Sequence, residues 1–269
     1  MREKLNLRNL LIVLGSVVLF ALVIIFIRIS NQPKAGEPFS TLPDLKTSLT
    51  DGNIDFKSKP VIDLSAYQPV DAIDYAKLSQ NISGAIVRVQ DGIKAVQSTT
   101  VNKDGSDPAF EYHITKLQAQ GIPVAVYAYA NATSLSNMKN EAKAFYNRAK
   151  AYKPTFWWID IEAASMPDMN AGVEAFRAEL ESLGVKNIGL YSRDSFLTEN
   201  KIDTSRFVGI WLAYYGLTDD GSFTATSSSL TFQLQQFTDK GQLPGYSGML
   251  DLSRVKSQAD YSKIFLNHQ

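Results

Sequence analysis

Residues 155–162 read Thr155-Phe156-Trp157-Trp158-Ile159-Asp160-Ile161-Glu162. Side chains of a β-strand alternate between its two faces, so residues two apart share a face. One face of this stretch carries Phe156, Trp158, Asp160 and Glu162, and the other carries Trp157, Ile159 and Ile161. The second face is apolar throughout and suits packing beneath helices. The first begins aromatic and ends in two carboxylates, roughly 7 Å apart along the strand.

Outward from this strand, short apolar runs alternate with amphipathic stretches from Pro60 onward. The predicted strands are Val61–Ser65, Ala85–Gln90, Pro123–Tyr129, Phe156–Glu162, Asn187–Ser192, Val208–Ala213, Thr231–Phe237 and Met249–Ser253. Between the early ones lie helices. Asp107-Pro108 has the form of an N-cap followed by proline at the first helical position, and Gly121 closes that helix. Ser136–Tyr152 and Asp168–Leu183 are further helices, the latter stopped by Gly184. Strand–helix alternation argues for a parallel α/β sheet, and eight strands within 60–269 point to a barrel. Residues 214–230 and 238–248 are rich in Gly, Ser, Thr and Pro, so the last three strands lack long helices between them.

In a parallel barrel the C-terminal ends of the strands form the active face. Asp160 and Glu162 end one strand there. Crowded like charges raise one pKa, so one acid stays protonated while the other ionises, which is the division of labour that glycoside hydrolysis needs. A solvated Asp-x-Glu at a strand end is the plain alternative. Asp63 and Asp251 end two other predicted strands. An isolated Asp in such a place is commonly a cap or turn residue; four acids converging from three strands point to chemistry. Of the two histidines, His113 is expected on the surface of its helix, and His268 stands next to the C-terminus. A Ser-His-Asp triad or a His-rich metal site is therefore not expected. The chain has no cysteine, which removes disulfides, thiolate metal sites and a Cys nucleophile. The same strand ends carry Tyr67, Tyr127, Tyr129, Trp211, Tyr214 and Tyr215. Core packing accounts for any one of them; as a set near acids they suit a groove that binds sugar rings.

Lys+Arg and Asp+Glu both number 27, for zero net charge in 269 residues. Residues 1–30 carry Arg2, Lys4, Arg8 and Arg28 against Glu3 alone, leaving 23 basic and 26 acidic residues beyond them. No basic patch suggests a nucleic-acid partner. Leu10–Ile27 holds 18 residues without a charge, the length of a short membrane span. A cleavable signal peptide would have a shorter core and a small-residue cleavage motif, which Arg28-Ile29-Ser30-Asn31 does not supply. The expectation is a transmembrane anchor over 10–27 that follows a basic cytoplasmic segment 1–9. An extracytoplasmic linker over 28–59 and a barrel over 60–269 complete the organisation. The protein would then be single-pass in the cell membrane, or secreted if the anchor is cut.

From Val61 to Val255 the chain resembles the family 25 glycoside hydrolases, the Chalaropsis-type muramidases. Ile62-Asp63-Leu64-Ser65-Ala66-Tyr67-Gln68 is similar to that family's first-strand motif, and Pro123–Ala130 to its third strand. Trp158-Ile159-Asp160-Ile161-Glu162 resembles its Asp-x-Glu strand. Ile210–Tyr214 and Gln236-Phe237 through Gly248–Leu252 resemble its last three strands in order. The resemblance implies an irregular TIM-like barrel, with five β/α units followed by three helix-poor strands. It also implies cleavage of the β-1,4 bond between N-acetylmuramic acid and N-acetylglucosamine in peptidoglycan, without a cofactor. By position, Glu162 is the general acid, and Asp160 stabilises developing positive charge or orients the substrate's acetamido group. Asp63 and Asp251 position the sugar. Tyr67, Tyr127, Tyr129, Trp211 and Tyr214 are the expected substrate-binding set, and a monomer is expected. Two positions depart from the family pattern: Ala128, where His is frequent, and Ser253, where Asn is frequent. The competing readings are a non-catalytic glycan-binding protein on the same scaffold and a structural component of a wall-remodelling assembly.

Overall fold

The computed structural model describes residues 56–92, 98–216 and 222–266. Among these, eight strands close into a barrel in sequence order: β1 (Val61–Leu64), β2 (Gly84–Asp91), β3 (Val124–Tyr129), β4 (Trp157–Asp160), β5 (Ile188–Arg193), β6 (Gly209–Ala213), β7 (Leu234–Gly241) and β8 (Leu250–Val255). Strands β1 to β7 run parallel to their successive neighbours. β8 is antiparallel to both β7 and β1. Only residues 242–249 join β7 to β8, and a parallel crossover needs a dozen or more. The last strand therefore turns back as a hairpin, a departure from an all-parallel sheet.

The helices sit between the early strands. α1 (Tyr75–Ser79) follows β1, α2 (Phe110–Ala119) follows β2, and α3 (Leu135–Ala149) follows β3. α4 (Met169–Ser182) follows β4, α5 (Asp194–Glu199) follows β5, and α6 (Gln258–Tyr261) follows β8. Asp168 caps α4 by accepting from the Ala171 N–H, and Gly184 ends it at φ +94, where L side chains are strained. No helix lies between β6 and β8 among the described residues.

Alternation along the strands divides the core in two. Outward residues such as Ile62, Leu64, Val87, Val126, Ile159 and Leu190 pack against Ile114, Leu117, Phe145, Val173, Phe176 and Leu180 of the helices. Inward residues Val61, Ile86, Ala125, Phe156, Trp158, Tyr191, Trp211, Leu234 and Val255 fill the barrel. Gly189 makes room for this filling, since a Cβ there would lie 2.3 Å from the Trp158 ring. Phe56, Tyr261, Ile264 and Phe265 close the end where the strands begin. The Tyr261 hydroxyl donates to the Ser83 carbonyl, 2.6 Å away, just before β2.

The expectation of a transmembrane helix ahead of the barrel requires correction. Among the described residues no helix is long and apolar enough to cross a membrane. The longest of them, α3, has 15 residues, about 22 Å against a hydrocarbon core of about 30 Å. It also carries Lys139, Glu141, Lys143 and Arg148. The expected anchor 10–27, the segment 1–9 and nearly all of the linker 28–59 lie outside the described residues. A membrane partner through 10–27 and a single-pass membrane location are accordingly withdrawn. The architecture is a closed eight-stranded α/β barrel with flanking helices.

Two local expectations also change. His113 is fully buried rather than on the helix surface. Its Nδ1 meets the Tyr75 hydroxyl at 2.7 Å and its Nε2 meets the Ser65 carbonyl at 3.1 Å. Asp107 is not the N-cap of α2, which begins after Ala109. It is buried and accepts from Arg88 Nε (2.9 Å), the Ala66 N–H (2.9 Å) and the Ala109 N–H (2.8 Å). His268 lies outside the described residues.

Candidate active site

Strands β1 to β7 finish, and antiparallel β8 begins, around one cavity of about 550 Å³. Asp63 enters it from β1. The antiparallel return of β8 sets Asp251 directly across the ladder from Asp63. Asp160 is the last residue of β4, and Glu162 follows two positions beyond the strand end. All four carboxyl groups line the cavity, together with Tyr67, Tyr127 and Tyr129. Ser65, Gln68, Arg88, Asp91, Tyr215 and Asp239 complete the lining.

The carboxyl groups differ in surroundings. Asp63 and Asp160 are each 5% exposed. Asp63 accepts from Gln236 Nε2 at 2.8 Å, whereas Asp160 Oδ1 is buried with no hydrogen-bond partner. Burial pushes Asp63 well above the usual carboxylate range, helped by the charge of Asp251 and opposed by the Gln236 donor. Burial also pushes Asp251 up to about 6, with the hydrogen bond from Asp63 drawing it down. The two carboxyl groups face each other closely, so their raised proton affinity belongs to the pair rather than to either residue. Burial, then the charges of Glu162 and Asp91, push Asp160 up, and Arg88 opposes them. Glu162 is raised by burial against the pull of Arg193. The sequence pointed to like-charge crowding as the origin of a raised Glu162; desolvation is the cause instead.

Arg88 is a buried cation facing these acids. Beyond its bond to Asp107, Nη1 donates to Asp91 Oδ2 (3.3 Å) and Nη2 to the Thr100 carbonyl (3.0 Å). Its guanidinium lies over the Tyr67 ring, 5.2 Å from the centroid. A bulge between Arg88 and Gln90 breaks the alternation of β2. Gln90 consequently turns outward and donates to the Glu141 carbonyl, while Asp91 lines the cavity. No group of His, Cys, Asp and Glu among the described residues is arranged to hold a metal ion.

The model of family 25 of the glycosyl hydrolases matches residues 62–246. The chain belongs to this family. Among solved structures, it is 42% identical to a glycosyl hydrolase 25 of Streptococcus pneumoniae, GHIP, described as a virulence factor participating in host cell invasion. That match covers 78% of this chain and 93% of the other, at a TM-score of 0.75. The catalytic domain of endolysin ply40 from Listeria monocytogenes bacteriophage P40 is 25% identical over 77% of this chain and 97% of its own, at 0.67. The bacterial lysozyme of Streptomyces coelicolor, 17% identical over 78% and 98%, shares the fold at 0.59. No curated protein sequence matches. As a family 25 member the chain is a glycoside hydrolase with lysozyme-type activity on peptidoglycan.

In this family 25 domain, two of the residues expected to bind substrate stand elsewhere. Trp211 is 2% exposed and donates from Nε1 to Ser253 Oγ at 2.9 Å. It packs on Tyr191 at 4.4 Å, beneath the cavity rather than in its lining. Tyr214 lies just past the end of β6, its carbonyl accepting from Gln235 Nε2; its neighbour Tyr215 reaches the cavity instead. The two departures from the family pattern also fall outside the lining. Ala128 is buried in the outer layer, and Ser253 serves as the acceptor for Trp211.

Sequence reasoning passed over Arg88, Asp91, Asp239 and the role of Gln236. Arg88 had a legible signal: it is the one charge within Ala85-Ile86-Val87-Arg88-Val89 and has the parity of inward Ile86. Nothing local distinguishes Gln236, whose partners stand on three other segments of the chain.

Proposed function

We propose that this protein is a muramidase of the Chalaropsis type. It hydrolyses the β-1,4 bond between N-acetylmuramic acid and N-acetylglucosamine, with residues 60–269 as its catalytic barrel. The observation that carries this reading is the meeting of Asp63, Asp160, Glu162 and Asp251 in one cavity of a family 25 domain. Glu162 is the general acid. Burial raises its proton affinity above that of an exposed glutamate, which suits it to deliver a proton to the leaving oxygen. Asp160 acts as the anion beside the anomeric carbon, either stabilising positive charge there or orienting the acetamido group of the substrate. Its unpartnered Oδ1 is free for that contact; burial and the charges of Glu162 and Asp91 favour its neutral form and Arg88 opposes them, so the positive charge that develops on the sugar must complete its ionisation. Asp63 and Asp251 position the sugar, while Tyr67 at the rim and Tyr127 and Tyr129 in the wall contact its ring. No cofactor takes part. Mass spectrometry of purified walls digested by the full chain tests the bond assignment. Products ending in reducing muramic acid are expected; products ending in reducing glucosamine would replace the muramidase reading with a glucosaminidase.

A further inference from the structure

Gln236 is 3% exposed on β7 and touches three side chains of the site. Its Nε2 donates to Asp63 Oδ2 at 2.8 Å. Its Oε1 accepts from the Tyr191 hydroxyl at 2.7 Å and from the Tyr215 hydroxyl at 2.6 Å. The two ends of a carboxamide are alike in shape and opposite in polarity. Two phenols that donate into one end leave the other end as the donor toward Asp63. Burial raises both phenols, so they keep their protons. Tyr191 rests in turn on Trp211, which is tied to Ser253. A continuous chain of contacts thus runs from the packed barrel interior to one carboxyl group of the cavity.

We infer that Gln236, oriented by Tyr191 and Tyr215, is the positioning residue that holds Asp63 against Asp251, so that the pair meets the sugar in a single arrangement. This rests on the reading that Asp63 works in the site, and it names the groups that fix it there. Asp63 is faced by Asp251 from β8, Asp160 from β4, Tyr127 from β3, Tyr191 from β5, Tyr215 beyond β6 and Gln236 from β7. Gln236 is the partner among these that draws its proton affinity down.

The test is the double variant Tyr191→Phe/Tyr215→Phe, which keeps both rings and removes only the hydroxyls. Gln236→Leu, which is more exposed to misfolding, is its companion. In the double variant Oε1 loses both donors and the amide is free to turn over. The expected result is a fall in kcat on the order of 10- to 100-fold, with KM within about threefold, as for a misplaced rather than missing group. The loss exceeds the product of the two single variants, because one hydroxyl still orients the amide in each single. The acid limb of the kcat profile moves to higher pH, since the pair loses the donor that favours its anion. A folded double variant with wild-type kcat and pH profile, alongside an impaired Asp63→Asn, overturns the role of Gln236 alone. A fully active Asp63→Asn overturns the reading of Asp63 and the inference with it.

Discussion

At one end the barrel is filled by Phe56, Phe156, Trp158, Tyr261 and Phe265; toward the other, the same inward rows hold Asp63, Asp160, Asp251 and Gln236. Along β4 the change takes two residues, from fully buried Trp158 to Asp160. Buried side chains at both ends lose contact with water, with opposite consequences. Removing an aromatic ring from water stabilises the fold, whereas removing a carboxylate from water penalises its charge and raises its pKa. The closed end holds the barrel together, and the rigidity it provides lets the open end keep four desolvated carboxyl groups in one cavity.

The sharpest way to break this contrast is to exchange one residue at each end. Glu162→Gln removes the acidic proton and keeps the shape, so hydrolysis should fall about 10²–10⁴-fold. Its unfolding midpoint should stay within about 3 °C of wild type. Turnover assays on purified walls with parallel calorimetry check both; activity within a few-fold of wild type would remove Glu162 from the acid role. Trp158→Ala should do the reverse, lowering stability by about 3–5 kcal/mol. Its indole is fully buried against Phe156 and Trp211, with ring centroids 4.5 and 5.7 Å away. A denaturant titration showing less than about 1 kcal/mol would mean that the interior collapses around the gap.

A smaller effect sharpens the contrast within the open end. The folded pKa of Asp251 is about 6, above an unfolded value near 3.9. A raised carboxyl contributes stability that is full below the unfolded value and lost as pH rises through the folded one. Asp251→Asn removes that ionisation and retains an acceptor for Asp63. The variant should therefore gain on wild type by about 1–3 kcal/mol between pH 4 and pH 8, read from melting curves at both. A stability difference independent of pH would show that Asp251 titrates alike in the folded and unfolded chain.

The parity of residues 156–162 was legible because alternation is a local property of a strand. It sends Trp157, Ile159 and Ile161 to the helices and Phe156, Trp158 and Asp160 inward. Alternation says nothing of Tyr214, because β6 ends at Ala213 and the ladder stops there. It is also interrupted at Gln90, where a bulge shifts the register. The burial of His113 was hidden for another reason. Its partners, Tyr75 and Ser65, lie 38 and 48 residues away, and helical periodicity does not reveal what packs on a given face.

By itself the sequence determined the kinds of side chain available, the strand and helix rhythm, and the acids that stand at strand ends. Those features follow from the bonding of neighbours along the chain. Only the tertiary structure decided that β8 turns back to set Asp251 against Asp63, that Arg88 faces Asp160, and that Gln236 reaches Asp63 across 173 residues. It alone decided which carboxyl groups are raised in proton affinity as well. Proton affinity depends on the water and charge around a group, and barrel closure assembles those surroundings from every strand at once.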